Sequence, residues 1–311
     1  MCKNSSDIIV IFGPTASGKT ALSIDLAKII DAEIISADSA QIYQEINILN
    51  AKPTKDEQQG IAHHLIDICS ISNAFSAADF VKHATEHIAG IQRRGKRVII
   101  TGGTGLYISS LINNTDFGAI TQTDKIIVQN LKEIAKEQGS AALHTELQAV
   151  DPLSAEKIHP NDEFRIIRAL SHYKSTGETL TKAKQRQHNI PSQFNFIKIG
   201  LEYPNREVLY GRINKRVDIM LQNGAIDEVR NILTLNPSQT ALNAIGISEI
   251  ASYINNEISL KQAADMIKQN TRRYAKRQIT WFKREENTHW LNMCELNPKS
   301  AIKSAQNILK R

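Results

Sequence analysis

The chain has 311 residues with 38 Lys or Arg and 32 Asp or Glu, so its net charge is +6 at neutral pH. With 41% hydrophobic and 23% charged residues, the composition excludes disordered and fibrous proteins and allows a large buried core. No apolar run approaches the roughly 18 residues of a membrane-spanning helix, and Ile8–Phe12 is too short for a signal peptide. Cys2, Cys69 and Cys294 lack metal-ligand spacing, which favours reduced thiols in a cytoplasmic protein.

The first predicted element is a strand at Ile8–Phe12, an unbroken apolar run typical of a buried parallel strand. A helix follows, because Leu22, Leu26 and Ile29 recur at helical spacing. The residues between them fit the phosphate-loop pattern G-x-x-x-x-G-K-[ST], in which backbone N–H groups and a lysine bind an anion and a hydroxyl can hold Mg²⁺. The pattern predicts a di- or triphosphate site at Gly13, Pro14, Thr15, Ala16, Ser17, Gly18, Lys19 and Thr20, with Thr20 as the Mg²⁺ ligand.

Further strands are predicted along the chain at Glu33–Ser36, which precedes Asp38, and at Arg97–Thr101, which runs into a second glycine-rich turn containing Thr104. His64–Asp67 is a shorter and more polar candidate strand. Ligands of open α/β sheets bind outside the carboxyl ends of the strands, so the phosphate loop, Asp38 and Thr104 are expected at one crevice. For Asp38 alone, a role as a helix cap or turn residue is an equal alternative.

The stretch 119–190 interrupts this pattern with helical spacing, for example at Ile126–Ile134. We therefore expect an α/β fold: a P-loop NTPase-like parallel sheet core formed by 1–118 and 191–311, and an inserted all-helical domain at 119–190. The basic tail of the insertion, Lys182–Arg186, is either a phosphate contact or a solvated loop.

The basic excess is concentrated near the end of the chain. Lys261–Arg284 holds eight basic residues and one acid, so it carries +7 and the remainder of the chain nets −1. At about 100° per residue, a helix would place five basic residues on one half of its circumference and the aromatic residues on the other. This arrangement favours a polyanion partner, with a solvated basic face as the alternative. The five are Lys268, Arg272, Arg273, Lys276 and Arg277.

Together these segments resemble one family, the tRNA dimethylallyltransferases. The matching motifs run through nearly the whole chain, and their combination in this order is specific where the phosphate loop alone is not. They are GPTASGKT at Gly13–Thr20, SADSAQIY at Ser36–Tyr43, AKPT at Ala51–Thr54, HHLID at His63–Asp67, FSAADF at Phe75–Phe80, GGTGLY at Gly102–Tyr107, HPND at His159–Asp162, RIIRAL at Arg165–Leu170, RINKRVDIML at Arg212–Leu221, AIG at Ala244–Gly246 and TRRYAKRQITWFKR at Thr271–Arg284.

The resemblance implies transfer of a dimethylallyl group from dimethylallyl diphosphate to N6 of adenosine-37 in tRNA, with release of pyrophosphate and with Mg²⁺ as cofactor. It implies that Asp38 is the base, that Thr104 contacts substrate near the reacting centre and that Arg212 lies near the diphosphate. It also implies that the phosphate loop binds the prenyl diphosphate instead of turning over ATP. We expect a monomer.

The resemblance further implies that the inserted domain holds the anticodon stem. Phe164 departs from the family pattern, because glutamine is common at this position before the first arginine of an R-x-x-R motif. Ile48–Asn50 and Ile247–Ser248 depart as well, outside the expected catalytic positions. The expected tRNA contacts are Asp38, Ser39, Ala40, Gln41, Thr104, Phe164, Arg165, Arg168, Arg272, Arg273 and Arg277.

Three other functions stay open on the residues alone. A small-molecule kinase would use the loop for ATP, although no arginine-bearing substrate lid is recognisable. A prenyltransferase acting on free AMP or ADP would need neither the helical insertion nor the basic segment. A non-catalytic RNA-binding or nucleotide-switch protein would leave Asp38 without a role. His83 and His87, four residues apart, are a weak metal candidate because no third ligand accompanies them.

Overall fold

The computed structural model describes residues 7–115, 117, 124–187 and 192–310. Within these ranges six parallel strands form one sheet in the order β3-β2-β4-β1-β5-β6. The strands are β1 (Ile8–Phe12), β2 (Ala32–Ser36), β3 (His63–His64), β4 (Arg97–Gly102), β5 (Phe196–Glu202) and β6 (Thr288–Asn292).

Helices connect and cover these strands. In chain order they are α1 (Lys19–Ile30), α2 (Lys55–Gln58), α3 (Ala77–Arg93), α4 (Gly105–Ile112), α5 (Lys125–Gln138), α6 (Ser140–Val150), α7 (Pro152–Lys157), α8 (Glu163–Thr176), α9 (Leu180–Gln187), α10 (Arg206–Gln222), α11 (Ala225–Thr234), α12 (Gln239–Leu242), α13 (Ile247–Ile254), α14 (Leu260–Phe282) and α15 (Pro298–Leu309).

The predicted α/β core is confirmed, and its register follows from the apolar runs. In the centre of the sheet Ile11 pairs with Thr101 of β4 on one side and with Ile199 of β5 on the other. All five residues of β1 are buried, as expected for a central parallel strand covered on both faces. Because all strands are parallel, their carboxyl ends lie at one edge of the sheet, and the loops that follow β1, β2 and β4 meet there.

The chain divides into two compact units. The first consists of Met1–Leu111 and Phe194–Arg311, and it contains the sheet. The second, Ile112–Gln193, has its own apolar core, which includes Leu131, Leu147 and Leu170 from three different helices. The boundaries expected from sequence, at 118/119 and 190/191, lie outside the described residues.

Two segments differ from their sequence-based predictions. The strand expected at His64–Asp67 ends after His64, because Leu65 and Asp67 adopt positive φ angles of 60° and 58° that break extended structure. The basic tail Lys182–Arg186 belongs to helix α9, so the loop alternative is wrong, while the phosphate contact stays a prediction. Arg186 pairs with Glu178, which precedes the helix, at 2.9 Å. Among the described helices, none combines the length and apolarity needed to cross a bilayer.

Candidate active site

The phosphate loop connects β1 to α1 and leaves the first turn of that helix open to an anion. Gly18 has a φ of 90°, a left-handed conformation that glycine adopts without strain, and α1 begins at the next residue. No side chain caps this helix, and its first turn holds no acidic residue. The hydroxyl of Ser17 is buried without a hydrogen-bond partner among the described residues. Uncapped N–H groups and a buried unpaired hydroxyl are the features of an anion site.

Lys19 supplies the positive side chain of the loop. Its Nζ donates to the carbonyl oxygens of Gly13 at 3.0 Å and Pro14 at 2.7 Å, so the ammonium group folds back over the loop. Burial lowers the pKa of Lys19 to about 7, against the opposing effect of Asp38, and Arg216 lowers it further. A bound anion would favour the charged form of this lysine, because an opposite charge nearby offsets the cost of burial.

Asp38 lies two residues beyond β2, at the edge of the sheet where the phosphate loop begins. Its Oδ1 accepts the N–H of Ala40 at 3.0 Å, which is the turn contact expected of an aspartate in this position. Thr104 holds the next residue, since its Oγ1 accepts the N–H of Ser39 at 2.9 Å. Gly102 permits the close approach of these two loops, because a Cβ there would lie 2.1 Å from the carbonyl oxygen of Ala37.

These elements enclose a cavity of about 630 Å³ in the first unit. Its wall combines most of the predicted diphosphate residues with Asp38 and Gln41, whose Oε1 accepts from the Ser36 hydroxyl at 2.9 Å. Gly13 and Pro14 line a separate cavity of about 270 Å³. Thr104, expected at the same crevice, does not itself line the larger cavity and reaches it only through its contact with Ser39. The residues lining the larger cavity include Thr15, Ala16, Ser17, Gly18, Lys19, Thr20, Asp25, Asp38, Gln41, Asn50, Arg212, Arg216, Tyr274 and Gln278.

Two arginines of α10 border this cavity in different ways. Arg212 is exposed; its Nε donates to the Ala16 carbonyl oxygen at 2.8 Å. Arg216, one turn later, is partly buried and donates to the hydroxyl of Thr15 at 3.3 Å and to the carbonyl oxygen of Asn50 at 2.9 Å. Burial lowers the pKa of Arg216, while the nearby Asp38 carboxylate acts in the opposite direction. The sequence-based prediction named only Arg212. Arg216 lies four residues later and so on the same face of the helix, which was the one sign that it also borders the site.

Tyr274 and Gln278 of α14 also line the cavity, although neither was among the site residues predicted from the sequence. Burial raises the pKa of Tyr274 to about 12, and the Asp38 carboxylate contributes to the same shift. The phenol is therefore protonated at neutral pH and can donate a hydrogen bond towards the cavity. Nothing in the composition distinguishes these two residues from ordinary core positions of an amphipathic helix.

The expected RNA contacts on α14 are not equivalent. Arg272 donates to Asn214 Oδ1 at 2.7 Å, and Lys268 pairs with Asp218 at 2.5 Å, so both are engaged with α10. Arg273 and Arg277 are exposed. The continuous basic face expected from helical spacing is therefore interrupted at Lys268 and Arg272, because those side chains pack against the neighbouring helix.

In the second unit, three expected RNA contacts lie at the start of α8. Phe164 is 76% exposed, which is unusual for an aromatic side chain without a partner surface. Arg165 is exposed and pairs with Asp162 at 3.3 Å, while Arg168 is partly buried. Burial lowers the pKa of Arg168. The three side chains offer an exposed ring beside positive charge.

The donor atoms around the loop are compatible with Mg²⁺. Thr20 is exposed on the cavity wall, and its hydroxyl is a hard oxygen ligand. The described residues contain no group of three or more His, Cys, Asp or Glu side chains suited to a metal.

A family model and curated relatives both match this chain over most of its length. The sequence model of the family described as IPP transferase matches residues 41–285. A tRNA dimethylallyltransferase of Thermoanaerobacter sp. (strain X514) is 45% identical over 306 residues, covering 97% of this chain and 96% of that protein.

Solved structures of tRNA-modifying transferases are also similar to this chain. The tRNA isopentenylpyrophosphate transferase of Bacillus halodurans has a TM-score of 0.73 at 39% identity, covering 98% of this chain and 95% of that chain. A eukaryotic dimethylallyltransferase studied acting on tRNA has a TM-score of 0.82 at 29% identity, covering 97% of this chain and 78% of that chain.

Proposed function

The chain belongs to the IPP transferase family, and from this premise we propose that it transfers the dimethylallyl group of dimethylallyl diphosphate to N6 of adenosine-37 in tRNA. The observation that carries the proposal is one cavity lined both by the phosphate loop and by Asp38. The loop suits a diphosphate leaving group, and a carboxylate suits the proton that the acceptor nitrogen must lose.

Transfer breaks the bond between C1 of the dimethylallyl group and the diphosphate oxygen, and it forms a bond between C1 and N6. The oxygen keeps the bonding electrons, so negative charge grows on the departing pyrophosphate. The positive groups along this part of the cavity include Lys19, the open N–H groups at the start of α1, and Arg212 and Arg216 of α10. They stabilise that charge most strongly in the transition state, which is how binding groups accelerate a reaction.

N6 of adenosine is a poor nucleophile until its proton is removed. In the proposed mechanism the Asp38 carboxylate accepts this proton as the C–N bond forms, and Thr104 fixes the loop of Asp38 through Ser39. The adenosine must first leave the anticodon stack to reach the cavity. The exposed basic residues of α14 and the exposed ring of Phe164 are the proposed RNA contacts in their respective units.

Mg²⁺ is the proposed cofactor. When bound, it would supply further positive charge at the leaving diphosphate. The hydroxyl of Thr20 is the protein group proposed to hold it, together with diphosphate oxygens and water.

The proposal is tested by incubating the protein with radiolabelled dimethylallyl diphosphate and either unmodified tRNA or AMP. We expect label in tRNA alone, and none in a control tRNA that carries guanosine at position 37. Label in AMP would identify a mononucleotide prenyltransferase instead. Phosphoryl transfer from ATP without any dimethylallyl transfer would identify a kinase and refute the proposal.

A further inference from the structure

Gln278 connects the phosphate loop to the second glycine-rich turn. The residue lies on α14 and is 5% exposed. Its Oε1 accepts the backbone N–H of Thr15 at 2.8 Å, and its Nε2 donates to the carbonyl oxygen of Gly103 at 2.9 Å. Both ends of the amide are therefore used by backbone groups that flank the cavity. Reversing the amide would break both bonds, so its orientation is defined.

The two partners belong to different parts of the sheet. Thr15 lies in the loop after β1, and Gly103 lies in the turn between β4 and α4. Gly103 has the space for this contact only because it lacks a side chain: a Cβ there would lie 2.2 Å from Nε2 of Gln278. The glycine and the glutamine thus form a matched pair across the cavity wall.

The neighbours of Gln278 hold it in place. Trp281 donates from Nε1 to the hydroxyl of Ser109 at 2.8 Å, and Phe282 stacks on Phe12 with ring centroids 4.5 Å apart. These contacts fix the C-terminal part of α14 against β1 and α4. A buried amide that only filled space would lose its bonds to water without compensation, and the two backbone hydrogen bonds of Gln278 supply that compensation.

We propose that Gln278 is a positioning residue for the diphosphate site. It acts through Thr15 and Gly103, setting the separation between the phosphate loop and the turn that faces it, and so the shape of the anion-binding wall. The inference rests on the proposed function for the identity of the ligand, a diphosphate, but its test uses a ligand that requires no transfer reaction.

The test compares Gln278→Met with the wild-type protein by calorimetric binding of inorganic pyrophosphate in the presence of Mg²⁺. Methionine keeps the length and approximate volume of glutamine but removes both hydrogen bonds. We expect the dissociation constant of pyrophosphate to rise about tenfold. In steady-state assays the KM for dimethylallyl diphosphate should rise by a similar factor, while the KM for tRNA changes less than about twofold.

The matched control is Ile267→Val on the same helix. Ile267 is 2% exposed and packs in an apolar cluster with residues of α10, α11 and α13, away from the loop. Losing one methyl group should lower the melting temperature without changing pyrophosphate affinity. If Gln278→Met behaves like this control, with lower stability and unchanged affinity, the inference is wrong.

Gly103→Ala provides a second route if Gln278→Met does not fold. The added Cβ would lie 2.2 Å from Nε2 of Gln278 and displace its amide, whereas the nearest atom of any other residue, the carbonyl oxygen of Gly13, is 3.7 Å away. The same tenfold weakening is expected, and unchanged affinity would overturn the inference. If the wild-type protein itself fails to bind pyrophosphate, the proposed diphosphate function fails instead, so the two outcomes are distinct.

Discussion

Asp38 is the residue whose chemistry matters most to the proposed reaction. We expect Asp38→Ala to bind dimethylallyl diphosphate with little change but to transfer it about 10²–10⁴-fold more slowly, as for the loss of a general base. Single-turnover rates with saturating donor and tRNA measure the effect. Asp25→Asn is the control, because Asp25 also lines the cavity but lies on α1. A normal rate in Asp38→Ala would remove this residue from the mechanism.

The two arginines of α10 that border the cavity differ in their exposure to water. Arg216 is partly buried against Thr15 and Asn50, while Arg212 is exposed to water. Charges act more strongly where water is excluded. We therefore expect Arg216→Ala to raise the KM for dimethylallyl diphosphate about tenfold or more and Arg212→Ala to raise it about threefold or less. Steady-state kinetics of both variants measure these KM values. A larger increase in Arg212→Ala than in Arg216→Ala would assign the diphosphate contact to Arg212.

Sequence reasoning reached the phosphate loop and Asp38 because each follows a clearly apolar strand. It reached Arg212 but not Arg216, since two residues one turn apart on a helix share a face and spacing alone does not say which is buried. Gln278 could not be predicted from the sequence for a different reason. A buried polar residue is recognised by its hydrogen-bond partners, and the backbone partners of Gln278 lie 263 and 175 positions away in the chain.

At the scale of elements, α14 carries two groups of basic residues. Lys268 and Arg272 contact α10, whereas Arg273 and Arg277 are exposed to solvent. We expect Arg273→Ala combined with Arg277→Ala to weaken tRNA binding and to reduce the slope of log affinity against log salt by about 2, because each phosphate contact contributes roughly one unit. Filter binding over a range of salt concentrations measures this.

The matched control combines Lys268→Ala with Arg272→Ala. These two residues contact Asp218 and Asn214. It removes the same charge but should mainly lower thermal stability. Equal salt slopes in the two double variants would mean that the exposed face has no special role.

Strand β2 carries a buried carboxylate that is paired with two basic side chains. Glu33 is 6% exposed and accepts from Arg94 Nη2 at 2.6 Å and from His64 Nε2 at 2.7 Å. The hydrogen bond from Arg94, with a smaller contribution from His64, lowers the pKa of Glu33 below its usual 4.5. A carboxylate with a lowered pKa stabilises the fold above the unfolded-state pKa, and this contribution disappears as the pH falls through the folded-state value. Burial lowers the pKa of the neighbouring His87, which also favours the fold at higher pH.

We therefore expect Glu33→Gln to lower the free energy of unfolding by roughly 2 kcal/mol near pH 7, the scale of hydrogen bonds to a charged group. The difference from the wild type should shrink as the pH falls below 4.5 and through the lowered folded-state pKa of Glu33, where the wild-type carboxylate also becomes neutral. Urea denaturation at several pH values tests this, with Glu86→Gln as a control, since Glu86 pairs with His83 only at the surface. A constant difference across the range would show that charge is not the cause.

The elements themselves were predictable to different degrees. Three strands that combine an apolar run with a following turn, β1, β2 and β4, were found close to their observed limits. The strand expected beyond His64 failed because positive φ angles at Leu65 and Asp67 end it, and neither residue is a glycine that would have indicated this. Within the predicted helical domain, the Lys182–Arg186 segment of α9 was not identified as helical in its own right, because Leu180 and Ala183 give its mostly polar sequence only a weak apolar pattern.

For the whole molecule, composition indicated a basic chain and motif order indicated its family. The net charge of +6 arises from one segment, part of which is paired with neighbouring side chains. The inserted helices form a compact unit with an apolar core of their own, and their action as a tRNA-binding domain stays a prediction. The monomeric state and the cytoplasmic location also stay predictions.

Helix α14 connects exposed basic residues to the phosphate loop. It presents Arg273 and Arg277 to solvent and Gln278 to the phosphate loop, within a single rigid element of 23 residues. If tRNA and diphosphate each restrict the same helix, their affinities are thermodynamically linked, and the factor by which one ligand strengthens the other must be identical in both directions. The ratio of the tRNA affinities measured with and without pyrophosphate should therefore differ from one, and a ratio of one would mean that the helix does not couple the two ligands.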